Sequence, residues 1–200
     1  MIFSRTATKD DLLLLKVQEL MDKYVSDPKD YLNWSGALYR FWDYALIFEI
    51  LKDKYNINLA NITYNNNDAV FQNLCNNKRI NYSNFDIENI FKLPVRSNKY
   101  DVVCLLGSLD HVKQNVYDYI QKVCRHVSIG GYIILTTDDQ SISKYKTNTV
   151  SVDTLLDMSL ILEGYGFEFV SSEKDTMVAY NYNPDTKNYP HSLVMKRVGK

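Results

Sequence analysis

The stretch Tyr100–Val112, YDVVCLLGSLDHV, decides the fold. Its run Val102-Val103-Cys104-Leu105-Leu106 is apolar at consecutive positions, so both faces of the strand it forms must be covered, as in the centre of a parallel sheet. Gly107 closes the run, and Asp110-His111 follows where the strand hands over to a helix.

Downstream, Val112, Val116, Ile120, Val123 and Val127 define a helical stripe that the pattern predicts to stop at Gly130-Gly131, where positive φ is allowed. YIILTT reads as the next buried strand. Ser151 caps the helix VDTLLDMSLILEGYG, FEFVSS follows, and TMVAYNY with SLVMKRV reads as a terminal antiparallel hairpin. Upstream, Thr8 with Asp11 opens an amphipathic helix through Leu13, Val17, Leu20 and Tyr24. Asp27-Pro28 precedes a second, deeply packed one carrying Leu38, Trp42, Ala45 and Phe48. INLANITY, AVFQNLC and KRINYSNFD then read as strand, helix and strand, the last ending at Asp86. Pro94 breaks the segment that follows.

This alternation predicts one domain over 1–200, with a helical cap over 1–55 and an α/β sheet core over 56–200. Three layers are expected, with helices on both faces of a mostly parallel, Rossmann-like sheet and an antiparallel hairpin at its C-terminal side.

Composition narrows the functions. The chain is 46% hydrophobic and 24% charged with a net charge of −1, which offers no broad field for nucleic acid or an anionic membrane surface. No apolar run approaches the roughly 20 residues that span a bilayer, and no basic-then-apolar leader opens the chain, so a cytoplasmic protein is expected. Cys75, Cys104 and Cys124 are widely spaced within apolar segments and read as buried thiols. His111, His126 and His191 lie apart, with no metal-ligand spacing. The expected partner is a small-molecule substrate or a protein.

Asp86 to Val198 resembles the class I S-adenosylmethionine-dependent methyltransferases. FDIENIFKLPVRSNKYDVVCLLGSLDHV is similar to that family's run of an Asp, a Leu-Pro pair, a Tyr/Phe-Asp-Val-Val strand and a Leu-Asp/Glu-His-Val exit. YIQKVCRHVSIGGYIILTTDD is similar to its next helix, Arg and Gly-Gly turn into a fifth strand. LILEGYGFEFV and the terminal segment resemble its sixth strand and antiparallel seventh. The resemblance implies S-adenosylmethionine as cofactor and methyl transfer to a small-molecule or sugar-like acceptor.

The first half departs from the family. Its acidic residue and glycine-rich loop after the first strand have no evident counterpart, since no glycine lies between Gly36 and Gly107. Asn65-Asn66-Asn67-Asp68 is the candidate replacement, because Asn tolerates left-handed backbone best after glycine. Tyr55 to Asp101 is also short for three strands and two crossovers at about 30 residues per βαβ unit, so one strand or helix is missing or degenerate.

The residues that the resemblance assigns to the cofactor are Asn65, Asn66, Asn67, Asp68, Asp86, Ile87, Gly107, Ser108 and Leu109. Arg40 is a candidate for the cofactor carboxylate or an acidic substrate through its fork of donors. His111 is the candidate base, with Asp110 beside it. Each has a plainer reading: Asp86 as a turn or capping residue, Asp110 as a charge at a helix start, His111 as packing at the junction, and Arg40 as a surface cation. Two functions follow. One is the enzyme. The other, motivated by the missing glycine loop, is a catalytically inactive methyltransferase-like interaction module. A nicotinamide-binding protein would need a Gly-x-Gly-x-x-Gly turn that is absent.

Overall fold

The computed structural model describes residues 37–64, 69–89, 100–137, 150–170 and 191–199, together with Glu19 in a helix. The readings made on Thr8 to Tyr24 (apart from Glu19), Asn65–Asp68, Pro94 and TMVAYNY lie outside these residues, as does the side chain of Arg40.

Helix α1 (Ala37–Ile50) leads into β1 (Asn58–Thr63), α2 (Ala69–Asn77) and β2 (Asn81–Asp86). Then come β3 (Tyr100–Leu106), a 3-10 turn (Leu109–His111), α3 (Val116–Val123), a second 3-10 turn (Cys124–His126) and β4 (Val127–Thr136). Helix α4 (Val152–Gly164), β5 (Phe167–Phe169) and β6 (Ser192–Arg197) complete the described elements. The strands form one sheet in the order β2-β1-β3-β4-β6-β5. Pairings from β2 through β4 are parallel, and β6 runs antiparallel between β4 and β5.

Strand alternation builds the layers. Ala60, Ile62, Val103, Leu105, Ile133 and Leu135 face one way, onto Tyr119, Ile120 and Val123 of α3 and Leu155, Met158 and Leu162 of α4. Leu59, Val102, Cys104, Leu106, Tyr132 and Ile134 face the other way, onto Phe41 to Leu51 and onto Phe71, Leu74 and Cys75 of α2. The three-layer α/β sheet expected from the pattern is therefore present. Residues 41–48 are buried at every position, so this stretch of α1 is covered on all sides. All three cysteines are buried.

Two expectations are corrected. The helix after β3 is shorter than its valine stripe: Asn115 caps it by accepting from the amides of Tyr117 and Asp118, so Val112 lies before it and Val127 already belongs to β4. Gly130-Gly131 does not end a helix but lies inside β4, where the register against β3 slips between Tyr100 and Val102. A Cβ on Gly131 would stand 2.8 Å from the Asp101 carbonyl oxygen, which is why only glycine fits there. Before β3, the described residues supply two strands rather than three, in line with the shortness of that segment.

Candidate functional site

From β1 the chain moves outward to β2, then returns to the other flank of β1 as β3. The carboxyl ends of β1 and β3 thus bound a topological switch point, where open α/β sheets bind ligands. Tyr64 leaves β1 there, Asp86 ends β2 beside it, and Gly107–His111 leaves β3.

The three exits are tied together. The Tyr64 ring stacks on the His111 imidazole with centroids 4.3 Å apart and planes 9° from parallel. Lys113 Nζ reaches Glu88 Oε1 at 2.6 Å, and this bonded, oppositely charged partner raises the Lys113 ammonium above its ordinary value. Asp86 Oδ1 accepts from the Glu88 amide at 2.8 Å. Tyr64 is exposed, whereas His111 and Asp86 are half-buried, so aromatic, basic and acidic groups line one accessible rim.

Beneath that rim the β3 exit is packed. Gly107 has φ +56° and donates to the Thr136 carbonyl and to Thr136 Oγ1, each at 3.1 Å. Ser108 Oγ donates to the Leu106 carbonyl at 3.1 Å, and Leu109 is fully buried. Asp110 is buried too, and its Oδ1 accepts from the Val150 amide at 3.0 Å, which joins the β3 exit to the start of α4. Ile87 is a core residue: its amide donates to the Thr63 carbonyl at 2.9 Å, and its carbonyl accepts from Tyr119 Oη at 3.2 Å. Burial, with Asp86 nearby, pushes the Tyr119 phenol well up.

The structure therefore brings Asp86, Ile87 and Gly107–His111 to one edge. Asp110 and Ile87 face inward, in structural contacts. Asp86 makes the turn contact of its plainer reading while Oδ2 accepts no described hydrogen bond. Asp101 likewise orients the start of β3, with Oδ2 accepting from the Asn58 amide at 2.9 Å. Tyr64 was missed, although its place one residue past β1 marks it as an exit residue. Asp43 was missed as well, and its signal was a lone carboxylate inside FWDYALIF.

A nucleoside-bearing cofactor needs a flat surface for a base and an acceptor for hydroxyl or amine protons. Tyr64 and Asp86 Oδ2 supply groups of those kinds at the rim, so the residues present fit it.

Sheet order and switch point define a Rossmann-like α/β protein. The family model described as "Methyltransferase domain" matches residues 45–135. Among solved structures, an S-adenosylmethionine-dependent methyltransferase from Archaeoglobus fulgidus is similar at 14% identity, over 90% of this chain and 98% of that one, with a TM-score of 0.55. Another from Mesorhizobium loti aligns at 13% identity over 72% and 92% of the two chains, with a TM-score of 0.45. A phosphoethanolamine-type N-methyltransferase from Haemonchus contortus, in complex with S-adenosylhomocysteine, aligns at 14% identity over 77% and 37%, with a TM-score of 0.42. No curated protein matches by sequence. Residues 45–135 thus match a methyltransferase-domain family, and the chain shares the fold of the Archaeoglobus fulgidus S-adenosylmethionine-dependent methyltransferase. No helix among the described residues is long and apolar enough to cross a membrane.

Proposed function

We propose that this protein binds S-adenosylmethionine across the carboxyl ends of β1 and β3 and transfers its methyl group to a small-molecule or sugar-like acceptor. The observation that carries the reading is the half-buried His111 imidazole held against Tyr64 at the switch point. When bound, the cofactor supplies a methyl group on a sulfonium. The chain's task is then orientation and, for an acceptor that must lose a proton, a base.

In this reading His111 takes the acceptor's proton on a ring nitrogen. Asp86, through Oδ2, accepts from a hydroxyl or amine of the cofactor's adenosine. The buried Gly107, Ser108 and Leu109 form the floor through backbone packing. From the sequence, Asn65, Asn66, Asn67 and Asp68 are carried over as the replacement for the glycine loop, and Arg40 as the cation for the cofactor carboxylate or an acidic substrate. Asp110 is kept as the residue that fixes the floor to α4, so the chemistry rests on His111.

A second reading, an inactive interaction module with a protein partner, draws on a different observation. Ser108, Leu109 and Asp110 are 2%, 0% and 1% exposed, and the Tyr64 ring covers His111, so the crevice walls bond largely to one another.

Calorimetric titration with S-adenosylmethionine and S-adenosylhomocysteine separates the two. Micromolar binding that weakens in Asp86→Ala is expected. No heat at millimolar ligand would sink the enzyme and leave the module.

A further inference from the structure

Helix α1 buries a carboxylate where its neighbours are apolar. Asp43 is 3% exposed, between Trp42 and Tyr44 and on the helix whose side chains from Phe41 to Phe48 are all buried. Such a charge is costly without hydrogen bonds, and an apolar side chain of similar volume would pack there at lower cost. One bond ties it to the sheet: Thr136 Oγ1 donates to Asp43 Oδ2 at 3.1 Å. Thr136, the last residue of β4, is fully buried, and the same Oγ1 accepts from the Gly107 amide at 3.1 Å.

The direction of this relay is determined by proton inventory. A hydroxyl has one proton to give, and the Gly107 N–H can only donate, so Thr136 must pass its proton to an acceptor. Asp43 is that acceptor. Three elements meet in the relay: the first half of α1, the end of β4 and the φ +56° turn that starts the β3 exit. Gly107 is four residues before His111, and the intervening bonds, Ser108 Oγ to the Leu106 carbonyl and the His111 amide to the Ser108 carbonyl, are short and local. A shift at Gly107 would therefore move the start of the short segment that ends at His111.

We infer that Asp43 is a positioning residue for the cofactor edge: through Thr136 it holds the Gly107 turn, and with it the Gly107–His111 exit, in the geometry that takes the cofactor. The inference rests on the function proposed above. The relay itself is independent of it, and the two are tested separately.

The experiment uses the full chain with Asp43→Leu, Asp43→Asn, Thr136→Val and Thr136→Ser, and reads S-adenosylhomocysteine Kd by calorimetry and amide exchange at Gly107. Thr136→Val and Asp43→Leu should each weaken binding by about tenfold or more and speed Gly107 exchange by a similar factor, the scale of a hydrogen bond to a charged group. Asp43→Asn keeps an acceptor oxygen and Thr136→Ser keeps the hydroxyl, so both should stay within about threefold of the parent. The double variant Asp43→Leu/Thr136→Val should bind no worse than the weaker single one, because both cut the same relay. Unchanged Gly107 exchange in Thr136→Val would overturn the relay whatever the ligand does. Changed exchange with unchanged Kd, additive losses in the double variant, or equal weakening in a comparably destabilised Gly131→Ala control would reduce Asp43 to a structural role. A parent protein that binds no S-adenosylhomocysteine would overturn the proposed function, and the positioning role with it, while Gly107 exchange still judges the relay.

Discussion

Tyr64 and His111 meet through ring faces, a contact worth about 0.5–1.5 kcal/mol beyond area burial and enough to select one imidazole orientation. Tyr64→Phe should keep the stack and Tyr64→Leu should lose it. The ring proton resonances of His111 report this directly: shifted upfield by the neighbouring ring in the parent and in Tyr64→Phe, they should move toward ordinary values in Tyr64→Leu. Identical spectra in all three would show that the two rings are not stacked in solution. His191 makes a second residue-scale prediction. Burial at the β6 side of the sheet pulls its imidazole down from 6.5 to about 4. The folded chain therefore stays unprotonated where the unfolded chain takes up a proton. Stability is undiminished above about pH 6.5, falls as the pH drops toward 4, and loses about 3 kcal/mol in all from this group. Urea unfolding across that range should show a shallower acid-side slope in His191→Gln than in the parent. Equal slopes would mean that the imidazole is solvated.

At the scale of elements, β3 was legible because five apolar residues in succession leave a strand nowhere but the middle of a sheet. β1, β2, α2 and α4 were legible from alternation and caps, Ser151 among them, whose hydroxyl accepts from the Thr154 amide at 3.2 Å. The boundary between α3 and β4 was not. Val116, Ile120, Val123 and Val127 satisfy a helical period although the last belongs to a strand, and a glycine pair is as good a helix stop as a bulge until the neighbouring backbone is known. That neighbour decides the next prediction. A Cβ at Gly131 would lie 2.8 Å from the Asp101 carbonyl oxygen and 2.9 Å from that of Ser128, both backbone atoms that cannot swing aside. Gly131→Ala should cost about 1–3 kcal/mol in chemical denaturation, as over-packing does. Gly164, where a Cβ meets nothing within 4 Å, is the control, and Gly164→Ala at the end of α4 should be neutral or stabilising by up to about 1 kcal/mol. Equal losses at both sites would place the cost in glycine flexibility rather than in the approach of β4 to β3.

Across the whole molecule, the second half announced itself through ordered local motifs, while the site did not, because a site is assembled from residues distant in sequence. Asp43 and Thr136 lie 93 positions apart, and Tyr64 and His111 come from different strand ends. The sheet order, with β1 directly beside β3, brings Tyr64 to His111, and the packing of α1 across one face of the sheet brings Asp43 to Thr136. The same order makes ligand binding a global event. A cofactor that touches the exits of β1, β2 and β3 contacts segments distant in sequence, which the unfolded chain does not bring together. Binding to the folded state alone stabilises by RT ln(1 + [L]/Kd), about 2.7 kcal/mol at a ligand concentration of 100 times Kd. For a chain of this size, each kcal/mol raises the midpoint by about 2–4 °C, so S-adenosylhomocysteine at that excess should raise Tm by about 5–10 °C. The increase should persist in Gly164→Ala, which lies off the edge, and shrink in Asp86→Ala in proportion to the weakened Kd. A midpoint that does not move with ligand would mean that the exits are joined to one another and to nothing else, which is the expectation for the interaction module.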